Sequence, residues 1–208
     1  MNILVTGGSK GIGKLIVDEL SKNINNTVYY TYNNTNCQSE SNKIAIKVDF
    51  NNLEELQRLL KVTDQINFDI LINNYHNGYD QLHAHKISGQ LCLEGIMINI
   101  IPTITLSNHM ISSFRKRKKG AIITILTSAL NNFPTGCAKY IAEKRYLSAF
   151  VEAWQNENLA FGITSVAINP EFISTDMHQH LPDYIRNKND ESSKQRLLQE
   201  LNLIYNAI

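Results

Sequence analysis

Tyr140 and Lys144 form a Y-x-x-x-K pattern in a run whose apolar spacing predicts a helix. Residues four positions apart lie on one face of a helix, so the phenol and the ammonium group are expected to be neighbours. A lysine charge in that position lowers the pKa of a tyrosine hydroxyl from its ordinary value of about 10. Such a pair can pass a proton to a carbonyl oxygen, although an exposed tyrosine beside a surface lysine gives the same pattern.

A glycine-rich segment near the start of the chain, TGGSKGIG at residues 6–13, follows an apolar run and opens a helical pattern. Gly7 permits a tight turn, Gly11 lets the backbone approach a pyrophosphate, and Gly13 lets the helix pack near a sheet. The N–H groups that begin the helix would bind the phosphates. The segment is a candidate dinucleotide site, and an ordinary turn before a helix is the alternative.

Strand-like and helix-like runs alternate along the chain and would position these residues. Several of the strand-like runs are apolar at consecutive positions, which is typical of strands covered on both faces. The alternation predicts one α/β domain, residues 1–208, with a doubly wound parallel sheet of six strands and a seventh left open. The predicted strands are Ile3–Thr6, Thr27–Tyr32, Ile44–Val48, Phe68–Asn73, Ala121–Leu126 and Ile163–Ile168. The predicted helices are Lys10–Lys22, Leu53–Val62, Leu91–Phe114 and Gly136–Gln155, with a further helical pattern around Gln195–Leu203.

The composition argues against several classes of function. The 208 residues carry a formal net charge of +1, so neither nucleic acid nor an anionic membrane is expected as a partner. The basic run Arg115–Lys119 is expected to be a solvated helix end, with a phosphate or partner contact as the alternative. No apolar stretch of about 18 residues is found, which predicts no membrane span.

The cysteines and histidines indicate no metal site. The three cysteines have no paired metal spacing, and with no signal peptide they favour a reduced, cytoplasmic protein. The pairs His83/His85 and His178/His180 lie in polar segments without a carboxylate or cysteine pattern around them. No metal is therefore expected.

The glycine segment and the tyrosine–lysine pair resemble two markers of the short-chain dehydrogenase/reductase family of classical type, TGxxxGIG and Y-x-x-x-K. The resemblance runs from Met1 to about Met177. It implies a three-layer Rossmann-like fold and an oxidoreductase that reduces a ketone or aldehyde carbonyl, or oxidises the alcohol. Tyr140 would be the acid/base, and Lys144 would tune it and bind the cofactor ribose.

Two other functions stay open beside this one. The first is a protein that binds the dinucleotide without catalysis, because several positions depart from the family pattern. The second applies the same residues to dehydration or epimerisation of a sugar nucleotide, for which the chain leaves little room. Fold alone decides neither of them.

The family also places a serine, usually thirteen residues before its tyrosine, to anchor the substrate carbonyl. Thr127 has that spacing and Ser128 has that residue type, so both are candidates. If the strand stays regular, only one of them faces the site, because successive strand residues point to opposite faces. Asn99 matches the asparagine that interrupts the long helix and holds a water beside the lysine, with an ordinary buried hydrogen bond as the alternative.

The resemblance implies cofactor-binding residues in several loops. Asp49 resembles the aspartate that binds the adenine amino group, and Thr175 would contact the nicotinamide or the phosphates. Tyr75, His76 and Glu171 stand where the family has alanine, glycine and glycine, so these turns must be rebuilt around larger side chains. The complete candidate set is Gly7, Ser9, Lys10, Gly11, Ile12, Gly13, Asn33, Asp49, Asn73, Tyr140, Lys144, Pro170, Ile173 and Thr175.

The residues after the second predicted strand favour NADPH over NADH. An NAD site usually carries an acid there to bind the ribose 2′-hydroxyl, but this chain has Asn33 and Asn34 and no acid before Glu40. A carboxylate would repel a 2′-phosphate, and Lys10 could supply positive charge to one.

The C-terminal part is shorter than in typical family members, with about thirty residues after Thr175. This predicts a short lid and helix segment over residues 178–208, with the lid itself at Met177–Tyr184. The walls of a pocket for a small carbonyl substrate would come from residues 76–82 and 130–137. The apolar surfaces of the two longest helices exceed what one side of a sheet needs, which favours a homodimer through them.

Overall fold

The computed structural model describes residues 1–35, 37–78, 81–175 and 190–208. Within them, six parallel strands form one sheet in the spatial order β3-β2-β1-β4-β5-β6. The predicted doubly wound parallel sheet is confirmed, and no seventh strand lies in the described part of the chain. The strands are β1 Asn2–Val5, β2 Thr27–Tyr32, β3 Lys43–Lys47, β4 Ile70–Asn73, β5 Gly120–Ile125 and β6 Ile163–Ile168.

Helices connect successive strands and cover both faces of the sheet. Short 3₁₀ turns lie at Ala84–Lys86 and Leu159–Phe161, and a π-helical turn at Ile96–Ile100 joins two of the α-helices. The α-helices of the described residues are α1 Gly11–Leu20, α2 Leu53–Gln65, α3 Gly89–Gly95, α4 Ile101–Arg117, α5 Ala129–Asn132, α6 Ala138–Asn158 and α7 Asp190–Ala207.

The strands are apolar at consecutive positions because each face of the sheet packs on its own core. Ile3 and Leu4 are neighbours in β1, both fully buried, and they belong to opposite cores. The core of Ile3 includes Leu201 of α7, whereas the core of Leu4 includes Leu59 of α2 and Trp154 of α6. Burial of each such aliphatic side chain contributes roughly 1.5–3 kcal/mol, so this pattern fixes the strand register.

The order of the strands creates a binding crevice. β1 lies between β2 and β4, so the winding of the sheet reverses there. In open parallel sheets, ligands bind outside the carboxyl ends of the strands at such a point. The glycine segment follows β1 and residues 74–78 follow β4, which brings both to this crevice.

The long helix predicted over Leu91–Phe114 is interrupted in the structure. The π-helical turn at Ile96–Ile100 contains Asn99, which is 1% exposed. The Thr103 hydroxyl donates to the Asn99 carbonyl oxygen at 3.0 Å and supports the backbone there. Such π turns widen a helix by one residue and are frequent at functional sites.

The same helical region has a hydropathy that the sequence analysis missed. One 18-residue window within Gly89–Arg117 has a mean hydropathy of 1.3, so by length and composition this stretch could cross a membrane. The expectation that the chain has no such stretch is wrong. A single stretch of this kind is weak evidence for a membrane span, because core helices pass the same test; 33% of the window is buried inside the structure.

The basic run at the end of α4 is partly structural rather than only solvated. The Arg115 Nε donates to Asn158 Oδ1 at 2.6 Å, and Arg117 donates to the Phe68 carbonyl oxygen. These contacts tie the end of α4 to the end of α6 and to the entry of β4. The helix ends in a left-handed residue, Lys118.

Helix α7 confirms the helical pattern predicted around Gln195–Leu203 and extends it in both directions. Leu197 and Leu201 are buried, and the Asn202 amide donates to Glu19 of α1 at 2.9 Å. The chain after β6 therefore returns to cover α1. The predicted lid Met177–Tyr184 lies outside the described residues.

Candidate active site

The glycine segment makes the turn that its sequence predicts. Gly7 and Gly11 have φ values of 66° and 55°, in the left-handed region that favours glycine. The N–H groups of Gly7 and Gly8 donate to the side-chain and backbone oxygens of Thr31, at 2.8 and 2.9 Å. These bonds hold the turn against the end of β2.

The third glycine is required by packing. A Cβ atom at Gly13 would lie 2.1 Å from the Gly7 carbonyl oxygen and 2.5 Å from the Asn74 Nδ2. Helix α1 begins at Gly11, and the N-cap residue Lys10 makes no side-chain hydrogen bond to its first turn. The N–H groups at this helix end are therefore suited to bind phosphate.

Asn74 and Thr6 lock the glycine segment to the loop after β4. The Asn74 Nδ2 donates to the carbonyl oxygens of Thr6 and Gly7, both at 3.0 Å. In return, the Thr6 hydroxyl accepts from the N–H groups of Asn74 and Tyr75, both at 3.0 Å. The two loops together form one floor, and Asn74 was not among the predicted site residues.

A cleft of about 470 Å³ lies above this floor. Of the predicted cofactor residues, it includes the glycine segment, Asn33 and Thr175. Its lining residues are Gly7, Ser9, Lys10, Gly11, Ile12, Gly13, Thr31, Tyr32, Asn33, Asn34, Thr35, Val48, Phe50, Asn51, Asn74, Tyr75, His76, Asn77, Gly78 and Thr175.

Tyr140 and Lys144 of α6 do not line this cleft, and neither do four of the other predicted cofactor residues. Asn73 is buried, and its amide donates to the hydroxyl groups of Ser107 and Thr124, at 2.9 and 3.4 Å. Asp49 accepts from the Asn51 N–H at 2.9 Å. The structure places Asn73 in the sheet core, and Asp49 is half-buried between the lining residues Val48 and Phe50 of the chain.

The other two of these residues are Pro170 and Ile173, both buried. The Pro170 carbonyl oxygen accepts from the Ser128 N–H at 2.9 Å, and Ile173 packs in the core shared by α1 and α7. They support the loops on either side of the cleft rather than its surface.

Tyr140 and Lys144 lie together on α6, as the i, i+4 spacing predicts. The Lys144 Nζ is 5.9 Å from the centre of the Tyr140 ring and donates to the Ile125 carbonyl oxygen at 2.8 Å. Lys144 is only 4% exposed. Burial lowers its pKa from the usual 10.5 to about 8, against the opposing effect of the Glu143 charge.

Thr127 and Ser128 are both half-buried, and the structure leaves both as candidate substrate anchors. Strand β5 ends at Ile125, so the alternation expected for a regular strand does not apply to them. The Thr127 hydroxyl accepts from the Ala129 N–H at 3.2 Å. The Ser128 side chain makes no capping hydrogen bond to helix α5, which it precedes.

A buried polar network lies beside Tyr140, and two of its members were not predicted as site residues. The Glu143 Oε2 accepts from the Asn99 Nδ2 at 2.9 Å and lies 2.9 Å from the His76 Nε2. The Asn99 Oδ1 accepts from the Asn77 N–H at 2.7 Å. The amide of Asn99 thus makes ordinary buried hydrogen bonds to protein groups, the alternative considered for it in the sequence.

His76 connects this network to the cleft and to Tyr140. Its ring meets the Tyr140 ring edge-on, with 5.1 Å between centroids and 80° between planes. Burial lowers the pKa of His76 from 6.5 to about 4, despite the hydrogen bond with Glu143. The imidazole is therefore neutral at neutral pH, with its proton on Nε2, where Glu143 accepts it.

The pKa of Glu143 is held below its usual value. Burial alone would raise it, but the hydrogen bond with His76 and the charge of Lys139 outweigh that effect. The Lys139 Nζ lies 3.2 Å from the Glu143 Oε1. The carboxylate is thus ionised and buried beside the tyrosine.

The second enlarged residue of the loop after β4 is Tyr75. Its ring packs on Phe50 with 4.4 Å between centroids, and both rings line the cleft. Burial, with a smaller effect from Asp49, raises the pKa of Tyr75 to about 12, so the phenol stays neutral. The larger side chains at positions 75 and 76 thus diverge, one into the cleft wall and one towards Glu143.

Comparisons with known proteins agree with this geometry. The family model for short chain dehydrogenases matches residues 1–185. The 3-oxoacyl-[acyl-carrier-protein] reductase FabG of Buchnera aphidicola subsp. Baizongia pistaciae is 31% identical over 187 residues, 86% of this chain and 76% of the relative. The human inactive hydroxysteroid dehydrogenase-like protein 1 is 28% identical over 193 residues, 84% of this chain and 56% of the relative.

A solved structure described as a short chain dehydrogenase/reductase family protein has the same fold. Its TM-score is 0.81 at 22% identity, and the alignment covers 95% of this chain and 88% of that one. The Rossmann-like fold, the glycine segment and the Y-x-x-x-K pair agree with the family match. The chain belongs to the short-chain dehydrogenase family of NAD(P)-dependent oxidoreductases.

Proposed function

We propose that the chain is an NADPH-dependent reductase of carbonyl compounds in which Tyr140 gives the proton to the carbonyl oxygen. The observation that carries this proposal is the burial of Lys144 beside Tyr140, with its Nζ 5.9 Å from the ring centre. A cation that is withdrawn from water favours the charged phenolate left after proton transfer. Tyr140 and Lys144 act together as the acid/base pair.

The cleft fits a dinucleotide. Gly7 and Gly11 take left-handed conformations, and Gly13 leaves no space for a side chain, so the backbone is open to a pyrophosphate at the start of α1. A nicotinamide cofactor bound there supplies the hydride. The chain itself orients the carbonyl through the hydroxyl of Thr127 or Ser128, and it supplies the proton from Tyr140.

The preference for NADPH rests on the rim of the cleft after β2. Lys10, Asn33 and Asn34 line it, together with Thr35, whose hydroxyl lies 3.2 Å from that of Ser9. None of the lining residues is acidic among those that the structure describes. This neutral to basic rim suits a 2′-phosphate better than a bare 2′-hydroxyl.

The substrate class proposed is a 3-oxoacyl thioester, because a relative named as a 3-oxoacyl-[acyl-carrier-protein] reductase is 31% identical. The direct test is oxidation of NADPH by the purified protein with a panel of 3-oxoacyl thioesters, simple ketones and aldehydes. Turnover with thioesters only would establish the class. Turnover with simple ketones only would replace it by another carbonyl class.

The mechanism is tested by Tyr140→Phe, which removes the proton and keeps the ring. We expect turnover to fall by about 10²- to 10⁴-fold while NADPH binding, followed by fluorescence, is retained. Tyr146→Phe is the matched control, because Tyr146 lies on the same helix and is 48% exposed. Full turnover by Tyr140→Phe would refute the assignment.

Cofactor binding without turnover on the whole panel would favour a second function, a non-catalytic dinucleotide-binding protein. The observation behind it is the altered loop after β4, where the His76 imidazole contacts Tyr140.

The two candidate hydroxyl groups for the substrate carbonyl are tested separately by the variants Thr127→Val and Ser128→Ala. The variant that loses turnover identifies the hydroxyl that holds the carbonyl oxygen.

The proposed assembly is a homodimer through the surfaces of α3–α4 and α6. Leu93 and Met97 are 59% and 53% exposed, and the exposed Tyr146 stacks on Phe150 with 14° between the ring planes. Exposed apolar side chains on neighbouring helices are typical of subunit interfaces. Light scattering after gel filtration would show twice the chain mass of 23.6 kDa, and a monomer would contradict the proposal.

A further inference from the structure

We propose that Glu143 and His76 are positioning residues for the acid/base pair: a buried carboxylate, seated against Gly95, holds the imidazole against Tyr140 and adds one negative charge beside Lys144. This inference rests on the proposed carbonyl-reductase function. It concerns Glu143, at a variable position of the Y-x-x-x-K pattern, and His76, which lies outside both that pattern and the glycine segment. His76 and Glu143 are each 5% exposed at the side chain.

The Glu143 carboxylate packs directly against Gly95 of α3. A Cβ atom there would lie 1.9 Å from the Glu143 Oε1 and 3.1 Å from the Lys139 Cε. A larger residue at this position would therefore displace the Glu143 carboxylate from its place against helix α3. A glycine inside a helix costs about 1 kcal/mol relative to alanine, so the conformation of α3 alone gives no reason for it.

The carboxylate joins three separate elements. It accepts from Asn99 in the π turn and from His76 in the loop after β4, both at 2.9 Å, while it projects from α6. The Asn99 Oδ1 then accepts from the Asn77 N–H. Because each bond is buried, the loop, the π turn and α6 are held in one arrangement, and an unpaired member would be costly.

The imidazole transmits this arrangement to Tyr140. Its Nε2 is held by Glu143, and its ring meets the Tyr140 ring edge-on at 5.1 Å. The Nδ1 of His76 is buried without a hydrogen-bond partner among the described residues, so a second proton there would have no acceptor. The ring therefore stays neutral and packs against the tyrosine without adding a charge.

The charges that face Glu143 define its electrostatic role. The charged groups are Lys139, one turn earlier on α6, and Lys144, the next residue in the chain. The loop after β4 and the π turn add two neutral polar groups, the His76 imidazole and the Asn99 amide. The Glu143 charge raises the pKa of Lys144 against the larger effect of burial. With this charge removed, Lys144 loses its proton at a lower pH, and the tyrosine loses its cation.

The first test is Glu143→Gln, which keeps the shape of the side chain and removes its charge. We expect kcat for carbonyl reduction to fall about tenfold to a hundredfold with little change in KM for NADPH. The alkaline limb of the kcat profile should move to lower pH, because Lys144 is then deprotonated earlier. An unmoved pH profile with only a lower melting temperature would reduce Glu143 to a packing role and overturn the proposal.

The second test uses the seat of the carboxylate. Gly95→Ala should lower kcat as Glu143→Ala does, and the double variant should be no worse than Glu143→Ala alone, because the clash is then gone. Gly89→Ala is the matched control in the same helix, since its Cβ would meet nothing within 4 Å. Additive losses in the double variant would show that Gly95 and Glu143 act independently, against the proposal.

The third test does not depend on turnover. NMR of ¹⁵N-labelled histidine should show His76 with its proton on Nε2, without titration between pH 7 and pH 5. A proton on Nδ1, or titration near pH 6.5, would overturn the network even in an active enzyme. If the parent protein turns over no carbonyl compound, the proposed function fails, whereas the NMR result still decides whether the network exists.

Discussion

The two ends of the cleft are built from different parts of the chain. At the glycine end, residues 7–13 and 31–35, the backbone forms the binding surface, and its bonds to Thr31 and Asn74 fix its shape. At the tyrosine end, residues 75–78 line the cleft, and the side chain of His76 joins them to α6 through a buried network with Glu143 and Asn99. Backbone atoms therefore shape the glycine end, whereas buried side chains shape the tyrosine end.

This difference determines how freely each end can change. A left-handed turn and a close helix contact admit only glycine, so the glycine end keeps a pattern that is legible in the sequence. At the tyrosine end, a histidine occupies a position expected to be glycine, and Glu143, whose carboxylate packs against Gly95, is its hydrogen-bond partner. A side-chain network can be rebuilt when its members change together.

The largest expected effect tests the backbone of the glycine end. In Gly13→Ala the new Cβ would lie 2.1 Å from the Gly7 carbonyl oxygen, and backbone atoms cannot move away cheaply. We expect the free energy of unfolding to fall by about 3 kcal/mol and dinucleotide binding to be lost. Chemical denaturation and NADPH fluorescence measure the two effects.

The matched control for Gly13→Ala is again Gly89→Ala, in the first turn of α3, where the added methyl group meets open space. It should leave both stability and binding unchanged, or raise stability slightly, because alanine favours helix. Equal losses of stability and binding in the two variants would mean that the close backbone contact at Gly13 has no special importance. That result would contradict the difference drawn between the two ends of the cleft.

A comparable effect at the tyrosine end depends on pH. The folded-state pKa of His76 is about 4 and its unfolded value is near 6.5, so between these values the unfolded chain binds more protons. Stability should therefore fall as the pH falls from about 6.5 to about 4. The shift corresponds to about 3 kcal/mol at most.

The variant His76→Gln isolates this contribution. The difference in unfolding free energy between parent and variant should depend on pH in that window and be constant above it. His83→Gln, at an exposed histidine, is the control and should leave the pH dependence of the parent unchanged. A parent whose stability is flat between pH 7 and pH 5 would contradict a buried neutral His76.

The sequence predicted the fold and the glycine end well for a physical reason. Strands buried on both faces and turns that need glycine leave local patterns: β2 and β6 have the predicted bounds, Gly7 makes the expected turn, and Gly13 allows the expected close packing of the helix. The interruption at Asn99 was also expected, from the family resemblance, and the π turn at Ile96–Ile100 agrees with it.

The tyrosine end was predicted only in part, since its contacts join distant positions. Glu143 is the residue before Lys144, but only the three-dimensional approach of α3 and the loop after β4 shows that it is buried. The combination of an acid within Y-x-x-x-K and a histidine in the loop was the available signal. Pairing of those two could not be inferred from either alone.

Asn73 and Asn74 show how neighbouring residues at a strand end take different roles. Asn73 was chosen as a cleft residue, but it ends β4 with its side chain in the core, whereas Asn74 faces the glycine segment. Successive residues at a strand end point to opposite sides, so a shift by one exchanges a core role for a loop role. A motif fixes the neighbourhood of a residue more securely than its direction.

The smallest predicted effect concerns the rim of the glycine end, where side chains select between cofactors that the backbone binds alike. Asn33→Asp places a carboxylate beside Lys10 and Asn34, directly after β2. It should repel a 2′-phosphate and accept from a 2′-hydroxyl, so the ratio of kcat/KM for NADPH over NADH should fall about tenfold, equivalent to about 1.4 kcal/mol. Asn67→Asp makes the same change at an exposed position away from the cleft and should leave the ratio unchanged. An unchanged ratio of kcat/KM in Asn33→Asp would mean that the side chains of the rim have no selective role. The backbone of the glycine end would then decide cofactor choice as well as binding.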